Sequence, residues 1–262
     1  MPDWISILIL GIIEGITEFL PVSSTGHLLI AEHWLPKQTD LFNIVIQSGA
    51  VIAVIPLFWG RISQFFTRWN DRKTQAYLLK IITAFIITGI GGVIIDKKGF
   101  KLPETSFPIG LALLIGGVLF LVVEFFLRGK KLSNEVTWSV AIAVGVGQLI
   151  AAVFPGSSRS GTTIILALLL GISRPAATEF TFLVGIPTML AAGGLKIFKA
   201  CFHHGAAAPH ENWSMVALGT IVSAIVSFIA VKWLLRYVQT HTFNAFGWYR
   251  IVAGILVLLL LR

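Results

Sequence analysis

Apolar residues run along this chain in ten segments, at about 5–20, 24–34, 41–59, 76–95, 107–127, 138–154, 161–172, 177–198, 214–235 and 246–261. Most approach the roughly 20 apolar residues that a helix needs to cross a bilayer core. Two adjacent pairs do not. The first and second segments, and the sixth and seventh, are short and meet at polar junctions that contain Pro21 and Pro155. Each pair reads as a helix–loop–helix that enters the membrane and turns back, a path tolerated only where backbone is buried in protein or lines a wet cavity. The pattern predicts an all-α polytopic membrane protein, a single integral domain over 1–262.

The two junctions resemble each other. Phe19-Leu20-Pro21-Val22-Ser23-Ser24-Thr25-Gly26 corresponds to Val153-Phe154-Pro155-Gly156-Ser157-Ser158-Arg159-Ser160, with Gly161 one place later than Gly26. A second matched pair follows, FNIVIQSGAVIAVI from Phe42 and FTFLVGIPTMLAA from Phe180. Each half, about 1–128 and 129–262, then holds one re-entrant hairpin and three transmembrane helices. Three is odd, so the second half is expected upside down relative to the first. Inverted-topology repeats with helices broken at corresponding positions point to a midplane site at the repeat interface.

Composition agrees with the pattern. Charged residues make up 12% of the chain and hydrophobic ones 56%, where soluble domains carry about 25% charged residues. The net charge of +8 does not imply nucleic acid, because the basic residues cluster between apolar runs: Arg61/Arg68/Arg72/Lys73, Lys97/Lys98/Lys101 and Arg128/Lys130/Lys131. Such clusters mark membrane loops. The side holding Arg61–Lys73, Arg128–Lys131, Arg174 and Lys232/Arg236 is the richer in Lys and Arg and is expected to be cytoplasmic, with both termini outside. The single cysteine, Cys201, excludes an internal disulfide and a multi-cysteine metal site. The first residues lack a basic region and a small-residue cleavage site, and read as mature sequence. Six of the eight tryptophans (Trp34, Trp59, Trp69, Trp138, Trp213 and Trp233) fall near segment ends, as an interfacial belt does.

The chemistry is concentrated at the junctions. EGITEFLPVSSTGH, from Glu14 to His27, places two carboxylates, two serines, a threonine and a histidine inside apolar sequence, where an ionisable residue marks a functional site by default. Glu14 and Glu18 are four apart and share a helix face. Hard oxygen ligands of this kind suit Mg²⁺ or Ca²⁺, together with substrate phosphate oxygens. Ser23-Ser24-Thr25-Gly26 reads as the start of the second short helix, with Ser23 or Ser24 as its cap and His27 in its first turn. Ser158, Arg159, Ser160, Gly161 and Thr163 repeat that design with a guanidinium added. Free N–H groups at two helix N-termini and the planar fork of Arg159 suit a phosphate-bearing anion, a diphosphate best. Ser24 is the first choice as nucleophile, activated by a neighbouring base; attack by His27 or by a metal-bound water competes. Gln47 is a candidate cavity-lining residue. Glu124, Glu179 and Arg250, near segment ends, read as ion-paired structural residues, and His203, His204 and His210 as solvent-exposed.

EGITEFLPVSSTGH and PGSSRSGTT together resemble the two signature motifs of the bacterial undecaprenyl-diphosphate phosphatase family, linked to bacitracin resistance. The likeness extends to VIQSG, SRPAATEFTFLVGIP and WYRIV. Ser157 departs from it, standing where a bulkier residue such as Phe is expected. The resemblance implies a plasma-membrane enzyme that converts undecaprenyl diphosphate, a C55 lipid, to undecaprenyl phosphate, the carrier for cell-wall precursors. It also implies a divalent cation, roles for Glu14, Glu18, Ser24, His27 and Arg159, and a site open to the outer side. A homodimer is compatible with it. The other class to weigh is a transporter or flippase of a lipid phosphate, whose architecture shares inverted repeats and broken helices. A second large family of membrane lipid phosphatases requires a histidine and then an aspartate after the Ser-Arg pair; the chain has neither in SGTTIILALLLGISRP.

Overall fold

A computed structural model describes residues 2–98, 105–202 and 212–260; the loop containing His203, His204 and His210, together with Lys101, lies outside them. Among the described residues the chain forms eleven α-helices and no β-strand, only an isolated bridge between Ser133 and Ile172. They are α1 (Asp3–Thr17), α2 (Ser24–Glu32), α3 (Asp40–Val54), α4 (Trp59–Thr67), α5 (Arg72–Lys97) and α6 (Ser106–Leu127), then α7 (Trp138–Val153), α8 (Arg159–Leu169), α9 (Arg174–Phe202), α10 (Trp213–Thr240) and α11 (Asn244–Leu260). The helices fall where the apolar segments predict them, to within a few residues except where polar ends extend them. A 3₁₀ turn with Pro56 at its start carries α3 into α4.

Among the described residues, five helical stretches are long and apolar enough to cross a membrane: Asp40–Thr67, Arg72–Lys97, Ser106–Leu127, Arg174–Lys199 and Trp213–Thr240. The sixth expected span, α11, has 17 described residues, a little short of the usual length. Their outer faces are apolar. On α5, Leu79, Ile82, Ile86, Ile90, Val93 and Ile94 are exposed, a continuous stripe at helical spacing that water would not tolerate on this scale and lipid would.

Small residues set the close helix packing. A Cβ on Gly11 or Gly15 of α1 would meet the carbonyl of Gly219 or Ser223 on α10, at 2.9 and 2.7 Å. Gly117 of α6 and Gly247 of α11 face each other in the same way. Lipid tails are as apolar as leucine, so membrane helices associate through such backbone approach rather than through a hydrophobic drive. α1 packs on α10 and α7 on α5, while α6 lies against α11 and α3 against α9.

Polar groups at helix ends are paired across elements. Glu124 accepts from Arg174 and from the Phe243 backbone N–H, and Glu179 accepts from Arg61 at 2.7 Å. Arg250 departs from the expectation of an ion pair. Its fully buried guanidinium meets no carboxylate among the described residues and instead donates to backbone carbonyls.

Candidate functional site

α1 delivers Glu14 and Glu18 on one face, and the chain then breaks at Phe19–Ser23, where Phe19 packs edge-on against Phe182 at 5.1 Å. α2 restarts at Ser24. Its cap is Ser23, whose side chain accepts from the Gly26 N–H at 3.4 Å. The second junction repeats the construction: Ser158 caps α8 and accepts from the Gly161 N–H at 3.2 Å. Ser23 and Ser158 are the only non-glycine residues with positive φ among the described ones, at 75° and 66°. L-residues held there cost about 1–3 kcal/mol each and persist where the surroundings over-determine them.

The matched caps correct the register read from the sequence. Ser158 stands opposite Ser23, not Ser24, and Gly161 opposite Gly26, so Arg159 occupies the place of Ser24. The extra residue lies between Pro155 and Ser158. Gly156 absorbs it with φ 90°, its Cα pressed against the α6 backbone so that a Cβ would come within 2.6 Å of the Ile109 carbonyl.

Glu18 is the meeting point of the site. One of its oxygens accepts from Arg159 Nη2 at 2.8 Å; the other accepts from Ser24 Oγ at 2.7 Å and from Gln47 Nε2 at 3.1 Å. Groups from α1, α2, α3 and α8 thus converge on one carboxylate that is itself nearly fully buried. Glu14 lies beside it, carboxyl to carboxyl.

A cavity of about 560 Å³ opens from this cluster. Glu18, Ser23, Ser24, Thr25, Gln47, Ser158 and Arg159 line its polar end. Phe85, Val93, Leu149, Met189 and Leu195, with Gly89 and Gly92 between them, make most of the rest apolar, interrupted by Thr88, Gln148 and Thr188. One wall carries charge and the other suits hydrocarbon.

Other expected site residues lie elsewhere. Ser160 is buried and its hydroxyl donates to the Leu20 carbonyl at 3.1 Å, tying one junction to the other. Thr163 is fully buried and donates to the Arg159 and Ser160 carbonyls of its own helix. Gly26 and Gly161 sit under Leu113 and Arg250, where a Cβ would approach to 3.0 and 3.1 Å. His27 turns away from the cavity. Its Nδ1 is 2.7 Å from the Ser23 carbonyl, which can only accept, so Nδ1 carries a proton. In the neutral ring Nε2 then accepts from the Tyr249 hydroxyl at 2.6 Å.

Two residues enter that the sequence reading passed over or misassigned. Arg250 donates to the carbonyls of Pro21 in the first junction, Gly156 and Ser157 in the second, and Ala112 on α6, at 2.9–3.2 Å. One buried cation therefore joins both loops, and Gly116 leaves room for its guanidinium. Gln148 lines the cavity and donates to Thr88 at 3.1 Å. It stands seven residues before Pro155 as Glu14 stands seven before Pro21, a spacing that the repeat would have exposed.

The donor set fits a divalent cation of modest coordination. Glu14 Oε2 is buried without a hydrogen-bond partner beside Glu18, an arrangement that a hard cation relieves. No group of three or more His, Cys, Asp or Glu gathers among the described residues. A metal on Glu14 and Glu18 would take its further ligands from neutral oxygens, water or substrate, as Mg²⁺ usually does.

The chain is similar to known proteins over nearly its whole length. Residues 7–256 match the family model described as bacitracin resistance protein BacA. A protein of Rhizobium etli (strain CIAT 652) named undecaprenyl-diphosphatase is 51% identical over 257 residues, covering 98% of this chain and 96% of the relative. One of Xanthomonas euvesicatoria pv. vesicatoria (strain 85-10) with the same name is 49% identical over 260 residues, covering 99% and 97%.

Proposed function

Because the chain belongs to the bacitracin resistance protein BacA family, we propose that it is a multi-pass membrane enzyme that hydrolyses undecaprenyl diphosphate to undecaprenyl phosphate and inorganic phosphate. The product would be the recycled lipid carrier for peptidoglycan synthesis in a bacterial plasma membrane. One observation carries the reading: Glu18 holds a serine hydroxyl and an arginine guanidinium at the charged end of a cavity whose other walls are mostly apolar. A diphosphate on a hydrocarbon chain has that same division.

The prenyl chain lies along Phe85, Val93, Leu149, Met189 and Leu195, and the diphosphate reaches Ser24 and Arg159. The Arg159 guanidinium passes from Glu18 to the phosphate oxygens, where fixed positive charge does most of the work of phosphoryl transfer. Ser24 Oγ attacks the terminal phosphorus while its proton moves to Glu18, the carboxylate it already donates to. The bond to the bridging oxygen breaks and undecaprenyl phosphate leaves with the electron pair. Water then cleaves the seryl phosphate: its oxygen leaves in inorganic phosphate, one of its protons restores the Ser24 hydroxyl, and the proton held on Glu18 passes to solvent to restore the carboxylate. Glu14 and Glu18 would hold Mg²⁺ or Ca²⁺, which when bound neutralises the diphosphate. His27, bonded to Ser23 and Tyr249, braces the first turn of α2.

The exchange of partners between α1–α10 and α7–α5 supports an inverted repeat of two halves, each a re-entrant hairpin with three spans; in this reading the site lies at the midplane and opens to the outer side. The test is product analysis with purified protein in detergent. Undecaprenyl phosphate and inorganic phosphate in equal amounts are expected. Lipid diphosphate recovered intact there, but moved between leaflets when the protein is reconstituted into vesicles, would make the protein a carrier instead.

A further inference from the structure

α5 borders two cavities. Phe85, Thr88, Gly89, Gly92 and Val93 line the site described above, while Arg72, Lys73, Thr74, Ala76, Tyr77 and Lys80 line a separate cavity of about 640 Å³ with α4 and residues 134–136. At 1.5 Å per residue, Arg72 and Gly89 are about 26 Å apart along the helix. The second cavity is therefore near the other end of the span and has no part in the proposed hydrolysis.

Its lining is basic. Arg61, Arg68, Arg72, Lys73 and Lys80 face Asp71 and Glu135 across it. Several of these groups are already engaged. Arg61 pairs with Glu179 and sits over the Tyr77 ring at 4.9 Å. Lys80 donates to the Val136 carbonyl at 2.7 Å and lies over Trp138 at 5.7 Å. Asp71 caps α5 through Thr74. Arg68, Arg72 and Lys73 remain, and none forms a salt bridge among the described residues. The indoles of Trp59, Trp69 and Trp138 are exposed around the same end, which sets this cavity at headgroup depth.

Arg68 and Arg72, together with Lys73 beside Asp71, outnumber the carboxylates of a cavity with an aromatic floor at the membrane–water boundary, which suits an anion whose other part is apolar. We propose that this cavity binds the phosphate of an anionic phospholipid headgroup, with Arg68, Arg72 and Lys73 as its ligands and the acyl chains lying along the exposed face of α5. Arg is suited to phosphate oxygens by its planar fork, and Lys adds a point charge.

The test uses purified, delipidated protein in mild detergent, titrated separately with phosphatidylglycerol, phosphatidylcholine and inorganic phosphate. Retained lipid is read by native mass spectrometry and stabilisation by the thermal midpoint. Wild type is expected to retain phosphatidylglycerol at least several-fold better than phosphatidylcholine and to gain several degrees with it. The triple variant Arg68→Gln/Arg72→Gln/Lys73→Gln should lose that preference. Should it fail to fold, Ala76→Trp fills the cavity without altering charge and should have the same effect. Stabilisation by inorganic phosphate alone, lost in the same variants, would support the phosphate site with a free anion as its source. Equal retention of the two lipids by wild type, or unchanged preference in a folded variant, would overturn the proposal.

Discussion

Glu18 and Arg159 are 141 residues apart in sequence and 2.8 Å apart in space. Each comes from a different polar junction, so this pair exists only when both halves of the chain are folded together. Removing one partner of a buried pair leaves an uncompensated charge, at about 3–5 kcal/mol. The pair therefore couples assembly to chemistry, and variants at either position must be read for stability as well as turnover.

Arg159→Lys keeps the charge but loses the planar fork. Phosphate release should fall by about 10²–10³-fold, the usual cost of one electrostatic donor at a transition state. The thermal midpoint should fall less than for Arg159→Ala. Turnover within tenfold of wild type would remove Arg159 from the phosphate clamp.

Arg250→Gln breaks the link between the loops without touching the cavity wall. Each buried carbonyl left without a donor costs about 1–3 kcal/mol, so a lower thermal midpoint is expected. Misplaced loops should also lower kcat more than they raise KM for prenyl diphosphate. A variant that loses stability but keeps its kcat would make Arg250 structural only.

Gly92 lines the apolar wall, and a Cβ there would meet nothing within 4 Å. Gly92→Leu fills that space, and in a helix it also removes a glycine penalty of about 1 kcal/mol. Turnover of the C55 substrate should fall at least tenfold while a short prenyl diphosphate is still hydrolysed, with no loss of thermal stability. Equal effects on both chain lengths would take the hydrocarbon away from α5.

Glu14 has a buried oxygen without a partner. Glu14→Gln should raise the Mg²⁺ or Ca²⁺ concentration for half-maximal phosphate release by at least tenfold while leaving the fold intact. An unchanged metal dependence would place any cation elsewhere.

Much of this was legible in the sequence, because hydropathy fixes helix positions and charged groups stand out in apolar runs. Glu18, Ser24, Gln47 and Arg159 could be singled out, and the structure brings them together. The register of the second loop was not legible. Pro155 invites alignment with Pro21, but Gly156 with its positive φ accommodates one more residue before the cap. The surroundings of His27 were not legible either: a residue in the first turn of a helix can face either side, and Tyr249, which bonds to it, comes from 222 positions later. Arg250 resembled any arginine at a span end. Only the tertiary structure brings four backbone carbonyls to it.

The most direct test is phosphate release from undecaprenyl diphosphate by wild type, Glu18→Gln and Arg159→Ala, each checked for folding and assayed with a divalent cation and with EDTA. Cation-dependent release by wild type, lost in both folded variants, is the predicted result. Release that survives in either folded variant would contradict a site built on the meeting of the two loops.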